Sequence, residues 1–383
     1  MADLPGRLHN NHNVYILGAG FSRLRGLPLI GDFMMKMRDA LEYHAGQQHH
    51  REVSAIEDVL AFRLRASSAA YRVQVELENI EDLFSLASAS PSQMEDNIKL
   101  AIAATLDYAT QTSEPRWARF QCYADRFDSK RNWEHDQFPS TRLTDSWTAP
   151  AYEYIIRALL GGWSREDANC ENSFITFNYD TLLEEALEAL GVSYSLGFDQ
   201  SGEEGASYQA NVFKLHGSVN WTVPKGARTK IEVMKDYRGV VEAKLIPQII
   251  PPTWKKDARG AFNDIWNHSL RALADATRIV VIGFSIPPTD PHFKYLLAAG
   301  LQENYSLREI VFVNPEHGMP LIKERCGGLF ANQAHNAAKL RFVESTGEEF
   351  TGHGAYGNRV ASISRKLPQS MDNLQFISKP SPI

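Results

Sequence analysis

Short apolar runs that stop at a glycine or a polar residue recur along the chain and predict the strands of a sheet. Between them lie stretches with helical spacing of apolar residues, such as 33–43 and 181–190. Strands that alternate with helices predict an α/β fold with a Rossmann-like, doubly wound, mainly parallel sheet. The predicted strands are residues 14–17, 174–177, 212–215, 245–250, 278–282, 309–313 and, at an edge, 340–343.

The stretch from residue 44 to residue 170 has a different pattern, because helix-forming residues at helical spacing dominate it. We predict one helix that begins at residue 79 and two more over 97–109 and 152–160, with a loop-rich region between residues 113 and 150. The predicted domains are a Rossmann-like domain formed by residues 1–43 and 171–350, a helical insertion of residues 44–170, and a partly loose C-terminal segment of residues 351–383.

Charge and composition exclude several classes of protein. The formal net charge is −6 without a basic cluster, so nucleic acid is not expected as the primary ligand, because phosphate contacts need grouped Lys and Arg. No apolar run has the length of a membrane span and no leader peptide is recognisable, which predicts no membrane contact and a cytoplasmic protein.

The three cysteines of the chain form no metal-binding spacing. Cys122, Cys170 and Cys326 lie far apart, without a CxxC pair, and the histidines form no HExxH pattern. We therefore predict no zinc module, no metal, and thiols that stay reduced.

A glycine turn follows the first predicted strand and precedes a helical pattern. Glycines at this place let the backbone approach a pyrophosphate, but the third glycine of a dinucleotide fingerprint is replaced by Arg23. The alternative is a tight turn that needs positive φ values. The turn consists of Gly18, Ala19, Gly20, Phe21 and Ser22.

Polar residues follow four other predicted strands. In a parallel sheet the carboxyl ends of the strands share one edge, where ligands bind, so these residues predict a site there. Each also has a structural alternative: Asp180 suits a helix cap, a lone histidine is often structural, and asparagine with proline marks ordinary turns. The residues are Asn178 and Asp180, His216, Ser285, and Asn314.

Two common enzyme classes are excluded by missing motifs. The sequence has no GxSxG elbow, which disfavours a serine hydrolase, and no GxxxxGK[ST] loop, which disfavours ATP hydrolysis by this chain.

The order of these segments resembles the sirtuin superfamily. The sirtuin GAG-x-S segment with its following glycine and proline, the T-Q-N-x-D segment, the H-G pair, and the later G-x-S and N-x-[ED] strand ends all have counterparts in the same order. These counterparts are Gly18 to Ser22 with Gly26, Leu27 and Pro28; Thr176 to Asp180; His216 and Gly217; Gly283 to Ser285; and Asn314 to Glu316.

The sequence departs from sirtuin deacylases in ways that change the expected activity. Three residues separate Pro28 from Asp32 and Phe33, the family arginine is missing after them, and Phe177 stands in place of glutamine. The zinc module is absent. The segments 79–83 and 286–290 are similar to sirtuin-like domains of bacterial antiphage systems, some of which act alone and some with a HerA-type ATPase.

These resemblances imply an NAD glycohydrolase that uses NAD as substrate and depletes it during infection, without a metal. Asn178 would hold the ribose or the attacking water, and His216 would bind a ribose hydroxyl and act as general base. Asp180 would contact the nicotinamide amide. Further implied cofactor contacts are Gly18, Ala19, Gly20, Phe21 and Ser22 at the phosphates, Ser285, Asn314 and Glu316 on the adenine side, and Pro28, Asp32, Phe33, Thr176, Gly283, Phe284 and Asp290 around them.

Two other functions stay open: an NAD-dependent protein deacylase, and a sensor that binds NAD or ADP-ribose without turnover. The helical insertion carries none of the implied catalytic residues. We therefore predict that it mediates homo-oligomer formation or contact with a partner such as a HerA-type ATPase. A passive cap over the cofactor cleft is the alternative.

Overall fold

The computed structural model describes the core of the chain and not its two ends. The described residues are 12–73, 75–89, 94–113, 117–121, 146–160, 171–198, 208–224, 230–251, 261–286, 291–330 and 340–344. The strands are β1 His12–Leu17, β2 Trp117–Gln121, β3 Ser146–Pro150, β4 Glu171–Thr176, β5 Tyr194–Ser195, β6 Ala210–Lys214, β7 Trp221–Thr222, β8 Glu232–Val233, β9 Arg278–Ile282, β10 Glu309–Asn314 and β11 Leu340–Glu344.

The helices lie between these strands in the order that an α/β fold requires. They are α1 Ala19–Ser22, α2 Ile30–Gly46, α3 His50–Val73, α4 Ile80–Ala89, α5 Glu95–Thr112, α6 Ala151–Leu159, α7 Leu182–Ala189, α8 Tyr237–Glu242, α9 Ala261–Asp275, α10 Pro291–Gly300 and α11 Met319–Phe330. Two 3₁₀ turns follow α1 and β10, at Arg23–Arg25 and Glu316–Gly318.

A seven-stranded sheet, in the order β11-β10-β9-β1-β4-β6-β5, forms the centre of the described structure. Every neighbouring pair in it is parallel. From β1, strands β4, β6 and β5 extend the sheet on one side and β9, β10 and β11 on the other. Crossovers between parallel strands are generally right-handed, so helices on both faces are expected from this order. The predicted Rossmann-like, doubly wound sheet is confirmed, including β11 as an edge strand.

Complete burial of the central strands explains why the middle of each is a continuous apolar run, with polar residues such as Asn13, Arg278 and Glu309 only near an end. All residues of β1, β9 and β10 are buried. A strand covered by helices on both faces cannot alternate polar and apolar residues, so it reads as an uninterrupted run. The same burial makes the strand ends the first places where polar side chains reach the surface.

The insertion between β1 and β4 is helical over most of its described length. Helices α2, α3 and α5 pack on one another, with α4 beside them, while α6 packs against α7 and the 3₁₀ turn at Arg23–Arg25. The predicted helices at 79, 97–109 and 152–160 are confirmed as α4, α5 and α6.

Two of the sequence expectations about local structure are wrong. Residues 245–250 do not form a strand, since Ile249 makes only an isolated antiparallel bridge to Gly217. Pro247 within this run has no N–H to donate to a ladder. The region 113–150 was expected to be loop-rich, but it contains the antiparallel pair β2 and β3.

Several expectations concern residues that cannot be compared with the structure. Asp290, the loop residues 122–145 and the C-terminal segment 351–383 lie outside the described residues. Within the described ranges, none of the helices combines the length and the apolar character needed to cross a membrane.

Candidate active site at the carboxyl edge of the sheet

The register of two neighbouring strands brings Asn178 and His216 to equivalent positions. In the parallel pair β4 and β6, Thr176 is the partner of Lys214. Asn178 and His216 each lie two residues beyond these partners, just past the end of the sheet. The two residues that the sequence singled out for catalysis therefore leave the same edge side by side.

The glycine turn after β1 is shaped by close packing against the turn after β9. A Cβ atom at Gly18 or Gly20 would lie 2.6 or 2.8 Å from the carbonyl oxygen of Gly283. Gly18 has φ −105°, so it does not need the positive φ that we considered at this turn. Positive φ is instead found at Gly283, whose φ is +63°.

Most backbone N–H groups of this turn donate inside the protein. Gly18 donates to Ile282, Gly20 to Gly283 and Phe21 to Gly18, at 3.0, 2.9 and 2.9 Å. Ala19 is exposed. The turn is thus a rigid wall of the site, and its glycines bring two backbones together.

Ser22 is the centre of a buried hydrogen-bond network. Its hydroxyl donates to the Asp180 carboxylate at 2.7 Å and accepts from the Asn178 amide at 2.9 Å. The other amide hydrogen of Asn178 goes to the Gly18 carbonyl oxygen at 2.9 Å. Because Gly18 can only accept there, the amide orientation of Asn178 is fixed. Its amide oxygen accepts no hydrogen bond from the described residues.

Asp180 combines a role in the site with a role at the helix that follows. One carboxylate oxygen accepts from Ser22, and the other accepts from the backbone N–H of Leu182 at 3.2 Å, at the start of α7. The N-cap of α7 is Thr181, so Asp180, one residue earlier, is not the cap residue. Its carboxylate binds the first helical N–H and contacts Ser22 inside the site.

A buried ion pair lies beneath this turn. The Lys214 ammonium donates to the Glu184 carboxylate at 2.7 Å and also to the backbone carbonyl of Asp180. The two side chains are 1% and 8% exposed. Burial raises the pKa of Glu184, and the Lys214 charge opposes that rise. Neither residue was singled out from the sequence, although a charged residue ending an apolar strand was visible.

His216 is buried among aromatic rings. The edge of Phe177 meets it with ring centroids 5.1 Å apart, and Tyr179 stacks on it at 6.2 Å. Phe177 also stacks on Phe284 at 5.0 Å. The residue that replaces the sirtuin glutamine thus joins the ends of β4, β6 and β9. Gly217, with φ +80°, forms the turn that follows.

The remaining predicted residues surround this centre. Thr176 donates to the Leu17 carbonyl at 3.1 Å and accepts from the Asn178 N–H at 3.0 Å, and Asn314 donates to the Phe284 carbonyl at 3.2 Å. Ser285 is exposed at the same edge.

At the start of α2, Pro28 and Phe33 are buried, while Asp32 accepts from the Leu29 N–H at 2.6 Å and pairs with Arg23. For Glu316 only the backbone is described, as part of a 3₁₀ turn.

Tyr152, which the sequence did not single out, also reaches the site. It is the second residue of α6, in the helical insertion, and its ring packs against Phe21 with the ring centroids 5.0 Å apart. Helix α6 of the insertion therefore contacts the glycine turn at the edge of the site.

A group of possible metal ligands lies where α2 ends and α3 begins. His44, His49 and Glu52 are the only such group among the described residues, and no ion is bound there. The guanidinium of Arg238 lies 2.9 Å from Glu52 and 3.2 Å from the His49 ring, and it also pairs with Asp107. A cation already occupies the neighbourhood of these ligands, so we assign no metal to them.

Comparison with protein families identifies part of the chain. Residues 172–333 match the model of the SIR2-like domain. This range holds Asn178, His216 and Asn314. This part of the chain is similar to SIR2-like domains, in agreement with the resemblance to sirtuins noted from the sequence. No curated protein matches the chain.

Solved structures of Sir2 proteins align with most of the chain, but their sequence identity and their TM-scores are low. A structure on the mechanism and regulation of Sir2 enzymes has 11% identity over 95% of both chains, with a TM-score of 0.40. A Sir2 homologue with NAD has 13% identity, covers 94% of this chain and 92% of its own, and has a TM-score of 0.39. A Sir2 homologue variant with ADP-ribose has 13% identity over 95% and 96%, and a TM-score of 0.40. Likenesses this distant do not decide the activity of this chain.

Proposed function

We propose that this protein is an NAD glycohydrolase, which cleaves the nicotinamide–ribose bond of NAD to give nicotinamide and ADP-ribose. The observation that carries the proposal is the pair of Asn178 and His216, which follow register partners on neighbouring strands of a SIR2-like domain. An amide and an imidazole at one strand edge provide a fixed hydrogen-bond acceptor and a proton acceptor.

The geometry of Asn178 suits the positioning of water or a ribose hydroxyl. Both amide hydrogens are used by Gly18 and Ser22, so the amide oxygen points its lone pairs away from the network. That oxygen can accept a hydrogen bond from the attacking water and orient it toward the anomeric carbon. Holding a reactant in this way accounts for a large part of the rate of many enzymes.

His216 is the proposed base for the same step. The bond between the anomeric carbon and nicotinamide breaks, nicotinamide leaves as a neutral molecule, and the water oxygen bonds to the carbon through an oxocarbenium-like state. The water proton goes to the His216 ring. The pyridinium nitrogen is already positive, so the leaving group needs no general acid, and the step needs no metal.

The other predicted residues are proposed to shape the NAD cleft. Asp180 would face the nicotinamide amide. The turn from Gly18 to Ser22 would border the phosphates, and Ser285, Asn314 and Glu316 would border the adenine side. Three backbone N–H groups of this turn, at Gly18, Gly20 and Phe21, donate within the protein and are not free to bind phosphate. The turn would therefore contribute to NAD binding mainly by its shape and by the exposed Ala19.

A simple incubation separates this function from its competitors. Purified protein is incubated with NAD alone, and nicotinamide and ADP-ribose are quantified by chromatography. Release of both without an acylated peptide supports the glycohydrolase. Release that strictly requires an acyl-lysine peptide would identify a deacylase, and binding without turnover would identify a sensor.

We further propose that the reaction depletes NAD in the cytoplasm of a bacterium during phage infection. An enzyme with this activity must be restrained until infection, and homo-oligomer formation or a HerA-type ATPase would provide control. Light scattering measures the mass of the assembly, and copurification tests the ATPase. A monomer that binds no such ATPase and is fully active alone would contradict this part of the proposal.

A further inference from the structure

The segment that follows β4 sends its side chains alternately toward the two neighbouring strands. Asn178 and Asp180 hydrogen-bond to Ser22, in the turn after β1. Tyr179, between them, lies toward β6 instead, where its ring stacks on the His216 imidazole. The two ring planes make an angle of 28°, and their centroids are 6.2 Å apart. The residue between two members of the Ser22 network thus contacts the proposed base.

The phenol of Tyr179 is attached to a segment that itself supports His216. The hydroxyl donates to the carbonyl oxygen of Ile250 at 2.8 Å. The N–H of the same Ile250 donates to the carbonyl oxygen of His216, also at 2.8 Å. Ile250 therefore connects the backbone of His216 with the far end of the ring that lies over its imidazole.

The position of Ile250 is fixed by a close approach of two backbones just before it. Gly217 forms an isolated antiparallel bridge with Ile249, and the N–H of Ser218 donates to the Gln248 carbonyl oxygen at 3.2 Å. A Cβ atom at Gly217 would collide with that same oxygen, and the φ of Gly217 is +80°. Because the two segments touch, the Ile250 carbonyl is a fixed point of attachment for the phenol.

The backbone of Tyr179 is held as firmly as its phenol. Its carbonyl oxygen accepts from the N–H of Val219 at 2.9 Å and from the Ser218 hydroxyl at 3.2 Å. The ring is thus attached at both ends to the segments on either side of His216. The edge of Phe177 meets the same imidazole, which is 5% exposed as a residue. Two aromatic rings therefore limit how the imidazole can turn.

We infer that Tyr179 is a positioning residue, which holds the His216 imidazole in the orientation that accepts the water proton. A base must have its nitrogen within hydrogen-bond reach of the proton that it takes up, so the orientation of the ring sets the rate. The Tyr179 ring limits rotation of the imidazole, and the hydrogen bond to Ile250 keeps the ring in place. The inference rests on the proposed function in one respect, namely that His216 is the base.

The kinetic test removes the two parts of Tyr179 one at a time. Tyr179→Phe deletes the hydrogen bond to Ile250 and keeps the ring, whereas Tyr179→Leu deletes both. We expect Tyr179→Leu to lower kcat for nicotinamide release on the order of tenfold or more, with little change in KM, and Tyr179→Phe to recover part of that loss. The matched control is Tyr15→Phe, which removes a phenol hydrogen bond of 2.6 Å to the Leu159 carbonyl and should keep kcat.

The kinetic outcomes decide between positioning and general stability. Wild-type kcat in the folded Tyr179→Leu variant would overturn the inference, and so would equal effects of Tyr179→Phe and Tyr15→Phe on kcat. If Tyr179→Leu does not fold, the two phenylalanine variants decide alone, because only Tyr179→Phe should lose kcat.

A second measurement follows His216 without any activity. The protein is produced with ¹³C-labelled histidine, and the ring signal of His216 is the one that the His216→Ala spectrum lacks. Because a stacked aromatic ring shifts the signals of its neighbour, Tyr179→Leu should move and broaden this signal, while Tyr15→Phe should leave it unchanged. An unchanged signal in Tyr179→Leu would overturn the inference. The expected change in a protein whose wild type releases no nicotinamide would overturn the proposed function, while the hold of Tyr179 on His216 stands.

Discussion

Gly20 donates its backbone N–H to the carbonyl oxygen of Gly283 at 2.9 Å, and this bond joins the turn after β1 to the turn after β9. Neither residue has room for a side chain, since a Cβ at Gly20 would lie 2.8 Å from that oxygen and a Cβ at Gly283 would lie 2.4 Å from the Phe21 nitrogen. The wall of the site is therefore built by two backbones in direct contact.

Replacing Gly283 is expected to damage the fold and the site together. Gly283→Ala adds a methyl group against backbone atoms and forces alanine into φ +63°. The left-handed conformation costs about 1–2 kcal/mol, and the steric clash adds to it. Urea denaturation should show this loss of unfolding free energy. Gly31→Ala is the matched control, because it lies in α2 with open space and should be neutral or stabilising.

Removing either proposed catalytic side chain should abolish most nicotinamide release. A positioned acid–base group contributes about 10²–10⁴ in rate, so we expect losses of this size for His216→Ala and Asn178→Ala. The melting temperature should show that the variants remain folded. The exposed His50 provides the control His50→Ala, which should retain activity. Near-normal turnover by a less stable His216→Ala would assign His216 a structural role.

Single and double substitutions of the buried pair Lys214 and Glu184 should differ greatly in their effect on the free energy of unfolding. Lys214→Met leaves the Glu184 carboxylate buried and unpaired, and loss of one partner of such a pair costs about 3–5 kcal/mol. Replacing both by methionine removes the unpaired charge and should recover much of the unfolding free energy. A double variant as unstable as the sum of the singles would show that the pair is not coupled.

The stability of the protein should fall as the solution becomes acidic through the histidine range. Burial lowers the pKa of His44 below its ordinary 6.5, and the nearby Arg238 charge lowers it further, against the hydrogen bond to Ala104. In the unfolded chain His44 takes up a proton below this ordinary value, whereas in the fold it stays neutral. The contribution of His44 to the free energy of unfolding is therefore complete above about pH 6.5. It is lost as the pH falls from there to the lower pKa of His44 in the folded protein.

The measurement for His44 is urea denaturation at about pH 7.5 and about pH 5.5. His44→Gln removes the titrating group while an amide hydrogen can still reach Ala104, so its unfolding free energy should change less between the two pH values. An equal change in the variant and the wild type would assign the pH dependence to other groups.

Chelation should leave the reaction unchanged. The proposed step needs no Lewis acid, and the Arg238 guanidinium already lies against His49 and Glu52 of the possible ligand group. Nicotinamide release should therefore persist in EDTA. Complete and reversible loss of activity on chelation would contradict the proposed site.

The sequence predicts the sheet well because its strands are buried on both faces. Continuous apolar runs such as β9 and β10 leave no other interpretation, whereas shorter or mixed segments do. The hairpin strand β2 mixes charged and aromatic residues, so its pattern resembles that of a loop. The run 245–250 has strand composition, but among the described residues its only pairing is the isolated bridge of Ile249 to Gly217. Pairing partners are a property of the tertiary structure.

The site residues that follow strand ends could be predicted from the sequence, whereas the contact from the helical insertion could not. Asn178, Asp180 and His216 follow apolar strands, so their place is fixed by the pattern. Tyr152 lies in an ordinary amphipathic helix, and no spacing along the sequence connects it with Phe21, 131 residues earlier, on which its ring packs. The hydrogen bonds of the Ser22 hydroxyl to Asp180 and from Asn178 are likewise visible only when the turns after β1 and β4 are seen together.

The central place of β1 in the sheet has a consequence for how the protein is made. The strands beside it are synthesised far later, since contacts to β4 and β9 span 159 and 265 residues of the chain. At about 5–20 residues per second, β1 waits roughly 10–50 s on the ribosome for its second neighbour. During that time an apolar strand with two open edges can pair with other chains. We therefore expect chaperones that shield nascent apolar segments to raise the yield of folded protein during its synthesis.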